Sequence, residues 1–295
     1  MTAGEICVAH LVRRANDIGT FQSFLESYHR HPAGVPHELL LIFKGFSRAE
    51  LAPYDALLEG VPHKRSFVRD FGYDVRPYMK VAREQLYRYF VFLNSFSRIL
   101  VAGWVEMLYR HAQRPGVGIV GATASWQSLA SDHRDFRRAR RPDLPAYVRP
   151  LLPLYRDVRY LLAIRRQFPE FPNYHVRTNA FMVAREVMSG LRTETFLRKW
   201  DAFRFESSRQ GMTPQIIAAG LQALVVGADG RSYEPPEWPQ ARTFWISQQE
   251  NLLVADNRTR AYEEGSPALR EQLAFRAWRR YPDGRPRTEV PQLVA

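Results

Sequence analysis

The chain has 295 residues, 45% of them hydrophobic and 13% aromatic, and 42 Lys and Arg against 30 Asp and Glu give a formal charge of +12. That is enough apolar content for a sizeable α/β core, and too little Gly and Pro for a disordered or fibrous chain. A single cysteine, Cys7, excludes an intramolecular disulfide and a thiolate metal cage and suits a reducing compartment.

EICVAHLV (5–12) predicts a strand, and DIGTFQSFLESYHRH a helix with Asp17 as N-cap and Phe21, Phe24, Leu25 and Tyr28 on one stripe. HELLLIFKG is a second strand, and SRAELAPYDALLEG a second helix opened by Ser47 and closed by Gly60. KRSFVRDF is a short third strand, DVRPYMKVAREQ a helix, YRYFVFL a fourth strand, WVEMLYRHAQ a helix and GVGIVGA another strand. Continuous apolar strands separated by helices imply a parallel sheet covered on both faces, with any site beyond the carboxyl ends of the strands. The fourth strand raises a question there, because YFVFL ends abruptly in Asn94, Ser95, Phe96 and Ser97.

The alternation stops near Ser125, where residues 131–167 become strongly basic. Leu144, Tyr147, Val148, Leu151 and Leu152 keep helical spacing there, and Pro150 and Pro153 divide the stretch into two expected short helices. Arg137, Arg138, Arg140 and Arg141 flank them, so the stretch is either a solvated face or a surface for an anionic membrane. Beyond it AFMV predicts a strand, TETFLRKWDAFRFESSRQGMTPQIIAAG mostly helix, LQALVVG a strand and SPALREQLAFRAWRR a closing helix. The expected organisation is one domain over residues 1–230, with the basic insertion at about 131–167, and an extension over 231–295 packed on it. No run approaches the roughly 18 apolar residues of a membrane span. No signal-peptide pattern opens the chain, so a cytoplasmic protein is expected, peripheral on the membrane if the basic stretch docks. The positive balance favours polyanions, but without a helix-turn-helix, zinc-finger or RNP signature the expected partner is not nucleic acid.

In this order, from about Glu5 to Val226, the segments resemble the GT-A-fold glycosyltransferases of the broad family 2 type. ICVAHLVRRANDIGTFQSFLESY is similar to the opening strand and helix that line the nucleotide. RDFGYDVRPYMKVAREQLYRYFVFLNSFS is similar to the run into a metal-binding Asp-x-Asp. FPNYHVRTNAFMVAR matches the acceptor-side strand, and FESSRQGMTPQIIAAGLQALVV the helix and turn that carry a Glu-Asp pair. The resemblance implies a GT-A-like three-layer α/β fold with a mostly parallel sheet, a nucleotide-diphosphate sugar as donor, and a cell-surface glycan or lipid-linked precursor as acceptor. It implies inverting transfer and a Mg²⁺ or Mn²⁺ cofactor. The departures bear on the metal: Lys44 stands where the second strand usually ends in Asp, Asn94-Ser95-Phe96-Ser97 where Asp-x-Asp is expected, and Glu206-Ser207 where Glu-Asp is expected. Asn and Ser are poor ligands for a hard divalent cation, so dependence on metal should be weak.

The resemblance makes Glu206 the candidate base; otherwise it is a helix surface carboxylate. Asp74 caps its helix or meets the base or ribose, and the two roles are compatible. His175, Arg177, Thr178 and Asn179 form the densest polar cluster, suited to acceptor or phosphate, or simply a polar strand start. Asn94, Ser95 and Ser97 contact donor or cap the helix that follows, and His10 and Arg13 contact nucleotide or belong to a solvated loop. Asp256 and Asn257 suit a late polar contact, with a turn as the plainer reading. The rival from another class is a non-catalytic protein that kept the fold and binds a glycan, a membrane or a partner enzyme.

Overall fold

A computed structural model describes residues 4–139, 155–193, 196 and 199–291. The chain runs β1 (Gly4–Arg13), α1 (Ile18–Arg30), β2 (Glu38–Lys44), α2 (Ala52–Leu57), β3 (Lys64–Val68), α3 (Val75–Glu84), β4 (Tyr87–Leu93), β5 (Arg98–Ile99), α4 (Trp104–Ala112), β6 (Val117–Gly121) and β7 (Ala124–Ser125). It continues through α5 (Leu129–Ala139), α6 (Tyr155–Gln167), β8 (His175–Val176), β9 (Ala180–Ala184), α7 (Arg185–Gly190), α8 (Lys199–Ser207), α9 (Met212–Ala218), β10 (Gln222–Val226) and β11 (Ser232–Tyr233). It closes with β12 (Val254–Ala255), α10 (Asn257–Glu263) and α11 (Pro267–Trp278).

Eight strands form one sheet in the order β11-β10-β6-β9-β4-β1-β2-β3. β1 pairs in parallel with β2 and β4, as do β2 with β3 and β6 with β10, while β9 runs antiparallel to both β4 and β6. This is the α/β architecture that the resemblance implied, a mostly parallel sheet with helices on both faces. Alternation divides β1 between two cores. Cys7, Ala9 and Leu11 join α3, α7, α9 and α11 on one face, and Ile6 and Val8 join α1, α2 and α4 on the other. Because β9 is reversed, its amino end meets the carboxyl ends of β1, β2 and β4, so His175–Asn179 lies on the same rim as Asn94.

Several local expectations change. SRAELAPYDALLEG is not one helix: Ser47 and Glu50 close a capping box on a 3₁₀ turn, and Pro53 starts α2 in its first turn, where a missing N–H costs nothing. Gly211 likewise separates α8 from α9. Beyond residue 230, β11 pairs with β10, and Trp238, Tyr262 and Trp278 share a core with Cys7 and Phe90. Pro150, Pro153, Arg140, Arg141 and the apolar residues 144–152 lie outside the described residues. Among the described residues no helix is long and apolar enough to cross a membrane.

His10 is a correction. It points from β1 into the α1 core, fully buried, its ring stacked on Phe24 with centroids 3.6 Å apart and planes 3° apart. Alternation along β1 decides this: even-numbered residues face α1, and three residues of strand still follow His10 before the rim. Neither ring nitrogen has a hydrogen-bond partner, and burial lowers the pKa to about 3, so the ring stays neutral. It is a core residue, not a donor contact.

Candidate functional site

The rim is assembled from strand ends. After β4 the chain turns at Asn94, whose Oδ1 accepts from the Phe96 amide at 3.0 Å and the Ser97 hydroxyl at 3.2 Å. Asn94 thus closes its own turn, while its backbone amide bonds the Asn179 carbonyl at 2.8 Å and ties the β4 exit to the β9 entry. Asn16, in the turn after β1, donates to Ser95 Oγ at 2.9 Å and joins the first loop to the same turn.

The next element brings a residue from far along the chain. β5 follows that turn and pairs with β12, Arg98 opposite Ala255, which delivers Asp256 to Asn94. Asp256 is fully buried and caps α10, its Oδ1 accepting from the amides of Arg258 (3.0 Å) and Thr259 (2.9 Å). Its Oδ2 accepts from Arg177 Nη2 at 3.0 Å and faces Asn94 Nδ2 at 3.5 Å. Burial alone would raise this carboxyl's pKa; the Arg177 charge and the two amides outweigh it and hold the pKa below the ordinary range. Asp256 is therefore both the cap expected of a turn and a member of the rim. The exposed Asn257 begins α10 and joins nothing there.

Arg177 stacks on Phe244, 4.2 Å from guanidinium carbon to ring centroid, and is only 12% exposed. Its neighbours serve the other side of the rim. Thr178 Oγ1 donates to Glu206 Oε2 at 3.0 Å, which fixes the carboxylate at the end of α8 against the β9 entry. His175 is buried with Nδ1 2.8 Å from the Asn173 carbonyl, so its proton lies on Nδ1. Burial lowers the His175 pKa, with Glu206 pulling the other way. Asn179 is held by Thr123, whose hydroxyl donates to Oδ1 at 2.7 Å.

Across the rim lie Arg13, Lys44 and Asp74. Lys44 is spent, donating to the Tyr73 carbonyl at 3.0 Å with Asp70 3.8 Å away. Tyr73 itself has a φ of 40°, a left-handed conformation costing a bulky residue about 1–3 kcal/mol. Asp74 occupies the N-cap position of α3 but makes no side-chain cap bond. Its pKa is raised by burial, with the Arg13 and Lys44 charges pulling it down and Glu206 adding to the rise. Arg13 Nε, Arg177 Nη1 and Asn179 Nδ2 are buried donors without partners. Each such group costs about 1–3 kcal/mol if left unpaired.

The rim thus collects Arg13, Asp74, Asn94, Ser95, Ser97, His175, Arg177, Thr178, Asn179 and Glu206, and omits His10. Sequence reading undervalued Asp256, whose only signal was a carboxylate directly after the apolar run LLVA. A cavity of about 800 Å³ lies on the other side of α8, lined by Glu186, Arg192, Phe205 and Gln215 among others. None of the unspent donors lines it. Among the described residues no group of three or more His, Cys, Asp or Glu could hold a metal ion.

No family model matches the chain, and neither does any curated protein. Solved structures do. A mannosyltransferase from Pyrobaculum calidifontis, in complex with GDP-Man and Mn²⁺, is 12% identical with a TM-score of 0.45, over 80% of this chain and 59% of that one. Mouse xyloside xylosyltransferase 1 is 14% identical with a TM-score of 0.37, over 63% of this chain and 69% of that one. A CMP:2-keto-3-deoxy-manno-octonic acid synthetase complexed with CTP is 12% identical with a TM-score of 0.42, over 75% of this chain and 89% of that one. The chain thus spans less than two thirds of the mannosyltransferase. At these identities and TM-scores the likenesses carry no inference about activity.

Proposed function

We propose that the chain is an inverting glycosyltransferase, moving a sugar from a nucleoside-diphosphate donor to a hydroxyl of a glycan or lipid-linked acceptor. The observation that carries this is Glu206, fixed by Thr178 at 3.0 Å on a rim that also holds the unspent donors of Arg13 and Asn179. Direct displacement needs those two things: a base beside the acceptor hydroxyl, and donors for the departing diphosphate. The acceptor hydroxyl gives its proton to Glu206 as its oxygen bonds to the sugar's anomeric carbon. The bond from that carbon to the diphosphate breaks, and the electron pair leaves with the phosphate oxygen.

The divalent cation implied by the resemblance does not fit this donor set. Asn94 and Ser97 satisfy each other across a turn, Ser95 is bound by Asn16, and Asp256 is already taken by Arg177 and two amides. Little dependence on a metal is expected. A membrane-docking role for the basic stretch belongs to the same reading, bringing the rim to a lipid-linked acceptor. Salt-sensitive binding to anionic vesicles, lost when Arg137, Arg138, Arg140 and Arg141 become Ser, tests it; equal binding to neutral lipid refutes it.

The deciding experiment is donor turnover. A panel of nucleotide sugars, followed by nucleotide release, should reveal a hydrolysed or transferred donor. Glu206→Gln should lower that rate about 10²- to 10⁴-fold with donor affinity kept. Nucleotide binding without turnover in any condition would favour the non-catalytic reading.

A further inference from the structure

Asn94 stands at the first position of the expected Asp-x-Asp, and the group beside it is a guanidinium. Arg177 Nη2 and Asn94 Nδ2 approach the same oxygen, Asp256 Oδ2, at 3.0 and 3.5 Å. Three independent contacts fix this cation: the Asp256 carboxylate, the Phe244 ring 4.2 Å below it, and the backbone bond from the Arg177 amide to the Thr123 carbonyl at 3.1 Å. Asp256 cannot move away, because its other oxygen caps α10 and its own amide bonds Thr259 Oγ1 at 2.8 Å. One donor of the guanidinium, Nη1, is left without a partner.

The other rim cations are less suited. Lys44 is 2% exposed and already bonded to a carbonyl, and the Arg13 charge acts on Asp74. A fixed charge in a poorly solvated rim acts on a developing anion without reorganising, which is the service a bound divalent ion provides elsewhere. Arginine suits it because its planar fork holds a carboxylate with one nitrogen and keeps another for phosphate.

We propose that Arg177 is the resident cation of this site, contacting the diphosphate through Nη1 where a metal would otherwise act, with Asp256 as its positioning residue. The assignment rests on the reading of the rim as a nucleotide-diphosphate site. It concerns the second phosphate and not the nucleoside, so the readout is the affinity ratio of diphosphate to monophosphate.

Calorimetric titration of the full chain with UDP, UMP, GDP and GMP, each with EDTA and with Mn²⁺, tests it. For whichever nucleoside binds, the wild type should keep its diphosphate affinity in EDTA within about twofold. Arg177→Ala should weaken the diphosphate by about tenfold or more and the monophosphate far less. Arg177→Lys should restore part of the ratio. Asp256→Asn, which can still cap α10, should lower the ratio with the fold retained by circular dichroism. Diphosphate binding that requires Mn²⁺, or an unchanged ratio in folded Arg177→Lys and Asp256→Asn, overturns the assignment and leaves the rim reading standing. If none of the four nucleotides binds the wild type, the rim reading itself fails, and this assignment with it.

Discussion

Asp256 and Asp132 both bury a carboxylate against arginines, and the two titrate in opposite directions. Asp256 meets Arg177 at 3.0 Å and two backbone amides, and its pKa falls. Asp132, on α5, is also buried, but Arg276 of α11 and Arg279 just after that helix stand 3.8 and 3.9 Å away, and its short bond is to Gln127 at 2.6 Å. There burial outweighs the Gln127 bond and the arginine charges and lifts the pKa to about 6, while Asp135 takes the closer contact with Arg279 at 2.7 Å. Desolvation opposes charge at both sites, and donors at true hydrogen-bond distance decide the outcome. One carboxylate is built to stay ionised on the rim; the other fastens α5 to α11 and changes state in mild acid. His10 extends the comparison to a buried group with no donor or acceptor at all.

The harshest way to break the contrast is Asp256→Ala. It strands the Arg177 charge inside the protein and uncaps α10, so a loss of about 3–5 kcal/mol is expected in urea unfolding, with Asp256→Asn losing less. A loss under about 1 kcal/mol would mean that water already reaches the pair. Arg177→Ala should destabilise as well, because Arg177 is 12% exposed and paired with a fully buried carboxylate.

His10 comes next. Its pKa is lowered from 6.5 to about 3 by burial, so between those values the unfolded chain holds the extra proton and stability rises with pH. Going from pH 7 to pH 4 should cost about 2–3 kcal/mol through this residue, a loss that His10→Leu removes. An identical acid profile in the variant would refute the neutral buried ring. At pH 7 the substitution itself should be within about 1 kcal/mol, since both ring nitrogens are unpartnered.

Asp132 carries the opposite sign and the smallest effect. Its folded pKa of about 6 lies above the ordinary 3.8, so the folded state holds the extra proton in that window. Its contribution is full below pH 4 and lost as pH rises through about 6, by about 1–3 kcal/mol. Asp132→Asn should flatten that slope and leave the His10 slope intact; stability curves of the two variants from pH 4 to 7 separate them. If Asp132→Asn changes nothing between pH 4 and 6, the arginines hold this carboxylate ionised as firmly as Arg177 holds Asp256.

Much of this architecture was legible in the chain itself. ICVAHLV, ELLLIF and YFVFL are apolar runs that only a sheet covered on both faces can bury, and Asp17, Ser266 and Pro267 mark helix starts by local hydrogen-bond chemistry. The abrupt change at Asn94 to Ser97 marked the rim for the same local reason, as did the polar run His175 to Asn179. What the sequence could not show was which side chains would meet. Alternation along β1 sends His10 into the core although it lies near a strand end, and only the packed α1 reveals Phe24 against it. The reversal of β9 sets Thr178 against Glu206, 28 residues apart. The short β5–β12 pairing carries Asp256 across 162 residues to Asn94, so a carboxylate read as a turn becomes the anchor of Arg177. Local composition fixes propensities and caps, which depend on neighbours in the chain. Partner choice among charged groups depends on burial and on distances of a few ångströms, which exist only once the strands have been ordered in space.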